Sequence, residues 1–160
     1  MSNATQDFFT DTDIQKIING IEKGLTIAEA TSMENTTLEG LYTLAYNFYT
    51  NRDFEKAETI FQALCIYKHN EERFWLGLGS SRQGLQKYQD AIDAYSMAGL
   101  SSALKNPIPF FYAAQCFLKL EDKESAISAL QSVLTIGDRS NYQHVIFMDK
   151  AQEILNLLAK

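Results

Sequence analysis

The chain has 160 residues, the size of a single compact domain that can bury its own hydrophobic core. Its 14 Lys and Arg against 20 Asp and Glu give a formal net charge of −6, which argues against a nucleic-acid binder and against docking to an anionic membrane. It holds 2 prolines but 8 tyrosines and 10 phenylalanines. We therefore expect a helical protein whose aromatic side chains fill a core or line a surface.

The first ten residues lack the basic and apolar regions that are typical of a secretory signal peptide. No apolar run reaches the ~18 residues that span a bilayer. Cys65 and Cys116 lie in apolar helical patterns, outside the spacings of metal ligands, so we expect buried, reduced thiols. The sequence therefore predicts a cytoplasmic protein with no metal or other cofactor.

Two short helices are predicted ahead of the main body of the chain. The first carries a narrow apolar stripe and ends near Gly24. We expect this stripe to pack on the rest of the chain or on a second copy, and its members are the candidate dimerisation residues Ile14, Ile17, Ile18 and Ile21. The second helix is predicted from Thr26 and Glu29, which have the spacing of a capping box.

An internal repeat of 34 to 35 residues organises the rest of the chain. Three apolar segments align with one another, at residues 41–48, 75–82 and 110–117. Sixteen residues after each start, an alanine is followed four residues later by a large apolar side chain; the pairs are Ala57 with Phe61, Ala91 with Tyr95, and Ala126 with Leu130. This pattern resembles the tetratricopeptide repeat, in which small residues let two helices cross closely and neighbouring pairs stack to bury a core.

The repeat implies an all-α solenoid of three helix pairs with an N-terminal helical extension and a C-terminal capping helix. We predict the extension at 1–35, the repeats within about 36–138 (38–71, 72–106 and 107–140) and the capping helix at 139–160. Thr36 and Glu39 are expected to form a second capping box at the start of the first repeat helix. Arg82 departs from the pattern, because the other repeats have Phe48 and Phe117 at that position.

A groove is predicted on the concave side of the stack, which the first helix of each pair lines. Helical geometry turns the positions one and five residues after each repeat start, and in the first two repeats also the position eight after, towards this groove. They are Tyr42, Tyr46, Tyr49, Leu76, Ser80, Gln83, Phe111 and Gln115. Tyr67 and His69 are expected at its border. An apolar surface with hydroxyl and amide groups suits a peptide ligand.

Two alternatives stand beside this interpretation. Aromatic stripes at helical spacing usually belong to the core, which we expect for Trp75, Phe61 and Phe110. His69 has about even odds of being a solvated turn residue. No catalytic motif is present, whether a nucleophile elbow, a zinc-protease helix or a phosphate-binding loop, so we do not expect an enzyme.

The wording of the repeats is similar to that of the class II chaperones of bacterial type III secretion, over about residues 24–136. The segments that carry the resemblance are LYTLAYNFY at 41–49, AETIFQALC at 57–65, FWLGLG at 74–79 and NPIPFFYAAQC at 106–116. The resemblance implies a protein that holds hydrophobic translocator proteins in the bacterial cytosol until export. It also implies an extended, proline-containing cargo segment in the concave groove, dimerisation through the N-terminal region and, in some members, action with a transcriptional activator.

By position, the resemblance implies a set of pocket residues in this chain: Tyr42, Tyr49, Tyr67, His69 and Tyr95. Helical spacing alone places Tyr95 in the packing row, so the two indications differ there. Two other functions remain open, a scaffold subunit of the secretion machine and a co-chaperone module that grips an acidic peptide. The second needs Lys, Asn and Arg in the groove, where this chain has Tyr42, Tyr46, Ser80, Ile108 and Tyr112.

Overall fold

The computed structural model describes residues 11–160, without the side chains of Asp11, Asp13, Ile14, Ile17 and Ile21. Within this range the chain forms helices and no strand, which confirms the predicted all-α fold. The helices are α1 (Asp11–Glu22), α2 (Ile27–Ala30), α3 (Asn35–Thr50), α4 (Phe54–Tyr67), α5 (Glu72–Gly84), α6 (Tyr88–Ser101), α7 (Ile108–Lys119), α8 (Lys123–Ile136) and α9 (Tyr142–Leu158). None of them is long and apolar enough to cross a membrane.

Helices α3 to α8 form three pairs that stack side by side. Each helix packs against the next one along the chain, and α5 also touches α3, the first helix of the preceding pair. Helix α9 repeats this relation, because it packs against α8 and touches α7. The C-terminal helix therefore occupies the place of the first helix of a fourth pair, and the predicted repeat solenoid is confirmed.

The helix crossings depend on small buried residues. Ala45, Ala57, Ala91, Ala114 and Ala126 are completely buried. Their small side chains let the helices approach, so that the large rings of the second helices can lie between neighbouring pairs. The cysteines behave as predicted. Both are free and buried, and burial raises the pKa of Cys65 to about 12 and that of Cys116 to about 11, so both thiols stay protonated at neutral pH.

The N-terminal helices have one predicted cap and lack the other. Thr26 Oγ1 accepts a hydrogen bond from the Glu29 N–H (3.2 Å), and the Glu29 carboxylate accepts one from the Thr26 N–H (2.8 Å), so this capping box is confirmed. The capping box at Thr36 is wrong. Helix α3 begins one residue before Thr36, and the carboxylate of Glu39 is bonded to Arg73 on α5 instead.

The dimerisation stripe lies on α1, which packs against α2. Ile18 is 44% exposed, whereas the side chains of Ile14, Ile17 and Ile21 lie outside the described residues. The role of these four residues in dimerisation stays a prediction.

Arg82, the departure from the repeat pattern, ties the first two pairs together. Its Nε donates to Glu58 Oε1 on α4 (3.2 Å) and its guanidinium also donates to the Asp90 carbonyl on α6 (3.1 Å). Lys87 Nζ lies 2.7 Å from Glu58 Oε2. Burial alone would raise the pKa of Glu58, but the hydrogen bonds from Lys87 and Arg82 outweigh it and lower that pKa. A paired carboxylate thus does at this interface what an aromatic side chain does in the other repeats.

The turns inside the three pairs share a strained backbone position. Arg52, Gln86 and Glu121 have φ values of 63°, 61° and 61°. At each turn the next N–H bonds back to the carbonyl five residues earlier, as in a Schellman helix ending. Glycine is the residue that adopts this conformation without a steric cost, and none of the three turns has one.

Replacement of Gln86 by Gly is expected to raise the free energy of unfolding by about 0.5–1 kcal/mol, because it relieves the left-handed strain at an exposed side chain. Urea unfolding followed by far-UV circular dichroism measures the change. The control is Gln131→Gly, an exposed position inside α8, where the same substitution should lower stability by about 1 kcal/mol. A destabilised Gln86→Gly variant would show that the turn is not strained.

Candidate peptide-binding groove

A groove runs along one side of α3 and α5, and its first part is an aromatic cavity of about 180 Å³. Three tyrosines of α3, spaced four and three residues apart, form one wall of this cavity. Its lining residues are Tyr42, Tyr46, Tyr49, Phe61, Arg73, Leu76, Gly77 and Ser80. Tyr46 is 51% exposed, and its ring stacks against Tyr42 with the centroids 6.4 Å apart. An apolar surface of this kind is accessible to a partner.

The groove continues into a second, more polar cavity of about 250 Å³ between α3, α5 and α7. Its lining residues are Tyr49, Phe54, Ser80, Gln83, Gly84, Tyr95 and Tyr112. Tyr49 and Ser80 line both cavities. We call the two together the groove, and its parts the aromatic cavity and the polar cavity.

Three glycines of α5 let aromatic rings lie directly on the helix backbone beside the groove. A Cβ at Gly77 would overlap the ring of Phe61 from α4, and one at Gly79 would lie 2.6 Å from the Tyr95 ring of α6. At Gly84 the ring of Phe54 would be 2.8 Å away. These contacts are shorter than any real Cβ tolerates, so the absence of side chains on α5 fixes the depth of both cavities.

Arg73 is the charged residue of the groove lining, and acidic groups neutralise it. Its guanidinium donates two hydrogen bonds to Glu39, one of them 2.9 Å long, and its Nε lies 3.3 Å from Glu71. These contacts lower the pKa of Glu39 and raise that of Arg73, so the pair stays ionised. The guanidinium also lies 4.8 Å from the ring centroid of Tyr42, where it supports that ring.

The tyrosine hydroxyls of the groove stay neutral. Burial raises the pKa of Tyr42, Tyr95 and Tyr112 above the ordinary value, because the phenolate would lose its hydration. With Arg73 paired, the lining therefore offers a partner aromatic faces, hydroxyls and amides but no free charge.

Tyr95 serves both the core and the groove. Its side chain is only 1% exposed, and its ring stacks against Tyr112 with the centroids 5.6 Å apart. Its hydroxyl nevertheless reaches the polar cavity, where it donates to Gln83 Oε1 (2.7 Å) and lies 3.3 Å from Ser80 Oγ. The packing position implied by helical spacing and the pocket position implied by the resemblance are both present in one side chain.

Most of the residues predicted from the sequence come together in the groove. Seven of them line its cavities: Tyr42, Tyr46, Tyr49, Leu76, Ser80, Gln83 and Tyr95. Gln115 joins them through its side chain, which accepts a hydrogen bond from Gln83 Nε2 (3.3 Å). Their contact with a peptide stays a prediction.

The prediction for Phe111 is wrong, because this side chain is 4% exposed and belongs to the core of the third pair. Its position in the repeat is the same as that of Tyr42 and Leu76. In the third pair, however, α9 covers this position, and the Phe147 ring packs edge-on against Phe111 with the centroids 5.2 Å apart. The repeats are thus not equivalent, because only the third is followed by the C-terminal helix.

The groove position of His69 is also wrong. His69 lines a separate cavity of about 390 Å³ together with Cys65, Trp75 and Arg82, on the face of α5 that points away from the groove. Its carbonyl accepts a hydrogen bond from Trp75 Nε1 (2.7 Å). Tyr67 packs, half-buried, against the core of the first pair and is not among the residues that line the two groove cavities.

Three groove residues were missed by the sequence reasoning. Tyr112 follows the buried Phe111 and forms the rim of the polar cavity, where it takes the place that Phe111 was given. Phe54 comes from the start of a second helix, outside the helices searched for groove positions. Arg73 precedes the repeat start and has no counterpart in the pattern. Only Tyr112 had a usable signal, since an aromatic neighbour offered an alternative to Phe111.

Gly79→Ala is expected to lower the free energy of unfolding by about 1–3 kcal/mol, because the new Cβ would press on the fully buried Tyr95 ring. Gly40 is the matched control. It lies in α3 with no atom near its Cβ position, so Gly40→Ala should raise stability by about 0.5–1 kcal/mol. Urea unfolding measures both, and equal effects of the two substitutions would contradict the close packing at Gly79.

Comparison with known proteins identifies the repeats and their relatives. Models of the tetratricopeptide repeat match residues 38–71 and 110–136. Low calcium response locus protein H of Yersinia pestis is 37% identical over 128 residues, which are 78% of this chain and 74% of that protein.

Two solved structures share the arrangement of helices. The type III secretion translocator chaperone SycD of Yersinia enterocolitica superposes with a TM-score of 0.76 at 33% identity, over 82% of this chain and 97% of SycD. PcrH of Pseudomonas aeruginosa, in complex with the chaperone-binding region of PopD, superposes with a TM-score of 0.75 at 34% identity, over 79% of this chain and 94% of PcrH. The chain belongs to the family of type III secretion translocator chaperones.

Proposed function

We propose that this protein is a cytoplasmic chaperone that binds hydrophobic translocator proteins of a type III secretion system. An extended apolar segment of the translocator lies in the groove, which prevents aggregation and early association before export. The observation that carries the proposal is the groove itself, an open aromatic surface that continues into a polar cavity without a free charge. Membership of the translocator chaperones supports it.

The chemistry of the lining selects the kind of segment that fits. Aromatic faces gain free energy by covering apolar side chains, about 25 cal/mol per Å² of apolar surface removed from water. A charged side chain would enter the aromatic cavity without a partner, because the guanidinium of Arg73 is already bonded to Glu39 and Glu71. The groove therefore favours segments that are apolar and uncharged, as expected of a protein destined for a membrane.

The co-chaperone alternative fits the lining less well. A module that grips an acidic peptide needs cations that are free to bind carboxylates. The groove positions carry Tyr42, Tyr46, Ser80 and Tyr112, and the arginine of the lining is neutralised by two carboxylates. This arrangement repels an acidic segment rather than attracting it.

The net charge of −6 supports the same role. A chaperone that covers one sticky segment leaves other apolar segments of its cargo outside the groove, and a charged surface keeps the complex from associating further. Ordering an extended segment costs conformational entropy, so we expect moderate affinity and reversible binding, which permits release at export.

Tyr46→Ala tests the proposal at the most accessible residue of the aromatic cavity. We expect it to weaken binding of the PopD chaperone-binding region at least about tenfold, because an aromatic wall is lost while the core is untouched. Isothermal titration calorimetry measures the affinity. Tyr142→Ala is the matched control, since Tyr142 is 79% exposed at the start of α9 and lines neither groove cavity, so its affinity should equal that of the native chain.

Equal affinities for the Tyr46→Ala and Tyr142→Ala variants would contradict the groove as the binding site. Absence of binding by the native chain would contradict the proposed cargo. Co-expression with a full-length translocator extends the test, because a working groove keeps that protein in the soluble fraction.

A further inference from the structure

A chain of hydrogen bonds crosses the polar cavity from α5 to α7. The Tyr95 hydroxyl lies 2.7 Å from Gln83 Oε1 and 3.3 Å from Ser80 Oγ, and Gln83 Nε2 lies 3.3 Å from Gln115 Oε1. The chain thus runs from Ser80 through Tyr95 and Gln83 to Gln115. We call it the polar chain.

Both ends of the polar chain keep unused hydrogen-bonding capacity. Among the described residues, Gln115 Nε2 has no hydrogen-bond partner. The hydroxyls of Ser81 and Ser96 donate to the carbonyl four residues earlier in their helices, whereas that of Ser80 makes no such bond in the described part of the chain. Ser80 and Gln115 are half-buried, so their free groups point to a partner in the groove rather than to bulk water.

The hydrogens of the polar chain have two consistent arrangements on the same heavy atoms, since a hydroxyl rotates and an amide can present either end. In one, Tyr95 donates to Gln83 and Gln83 donates to Gln115, which leaves an acceptor at Ser80 and an N–H donor at Gln115. In the other every bond reverses, so Ser80 presents its O–H and Gln115 presents its carbonyl oxygen. Each arrangement therefore offers one donor and one acceptor.

We propose that the polar chain binds the main chain of the cargo segment, with one N–H and one C=O of an extended residue bonded to Ser80 and Gln115. An extended residue presents exactly these two groups on the same side, as it does towards a neighbouring strand. Because the polar chain can reverse, it satisfies the N–H and C=O in either order and thus in either direction of the segment. Side-chain selection is left to the aromatic cavity.

This inference rests on the proposed function and adds a division of labour to it. Main-chain bonds are independent of sequence, so they hold any extended segment, whereas the cavity lined by Tyr42 and Tyr46 selects apolar side chains. A groove built in this way can bind more than one cargo sequence with the same residues.

The test uses synthetic peptides of the PopD chaperone-binding region, each with one backbone nitrogen methylated, and calorimetric titration. One position should lose about 3- to 10-fold in affinity for the native chain, the value of a single net hydrogen bond. The same methylation should cost less than twofold with Gln115→Leu or with Ser80→Ala, because the partner is already missing. Gln131→Leu, on the exposed face of α8, should respond like the native chain.

The outcomes separate this inference from the proposed function. If the native chain binds the unmodified peptide but no methylation is coupled to Ser80 or Gln115, main-chain recognition by the polar chain is wrong. If replacement of a peptide Asn or Gln side chain is coupled to these residues instead, the polar chain binds a side-chain amide and the inference is likewise overturned. If the unmodified peptide does not bind at all, the proposed function fails and the inference fails with it.

Discussion

The ring of Tyr95 lies against the bare backbone of α5 at Gly79, and the groove depends on this contact. With a side chain at Gly79 the ring would move out, its hydroxyl would leave Gln83, and the polar cavity would lose one end of its hydrogen bonds. Gly77 and Gly84 place Phe61 and Phe54 in the same way. Each glycine costs helix stability of about 1 kcal/mol, which the packing of a buried ring offsets.

The same contact divides the aromatic residues between two tasks. Rings that lie on glycine or alanine fill the space between helix pairs, and rings one helical step away line the groove. Tyr95 belongs to both groups, since its ring is buried and its hydroxyl is part of the polar chain. Charge is kept out of the groove by pairing Arg73 with Glu39 and Glu71, while the excess of negative charge remains elsewhere on the surface.

The fold and most of the groove could be predicted from the sequence, because both follow from a repeat whose spacing places small and large residues on fixed faces. Tyr42, Tyr46, Ser80 and Gln83 were found by helical geometry alone. The failures have one physical origin, the end of the repeat. Phe111 has the groove register, but α9 covers it, and a reading that treats the repeats as equivalent cannot anticipate that contact.

The central claim is that the cargo lies in the groove and not on the opposite face of α5. A photoreactive benzoylphenylalanine at position 46 or at position 66 distinguishes the two, because Tyr46 faces the groove and the exposed Ile66 lines the cavity on the other side. After irradiation with the PopD chaperone-binding region, mass spectrometry of the adducts is the direct measurement. We predict a cross-link from position 46 and none from position 66; a cross-link from position 66 alone would contradict the account.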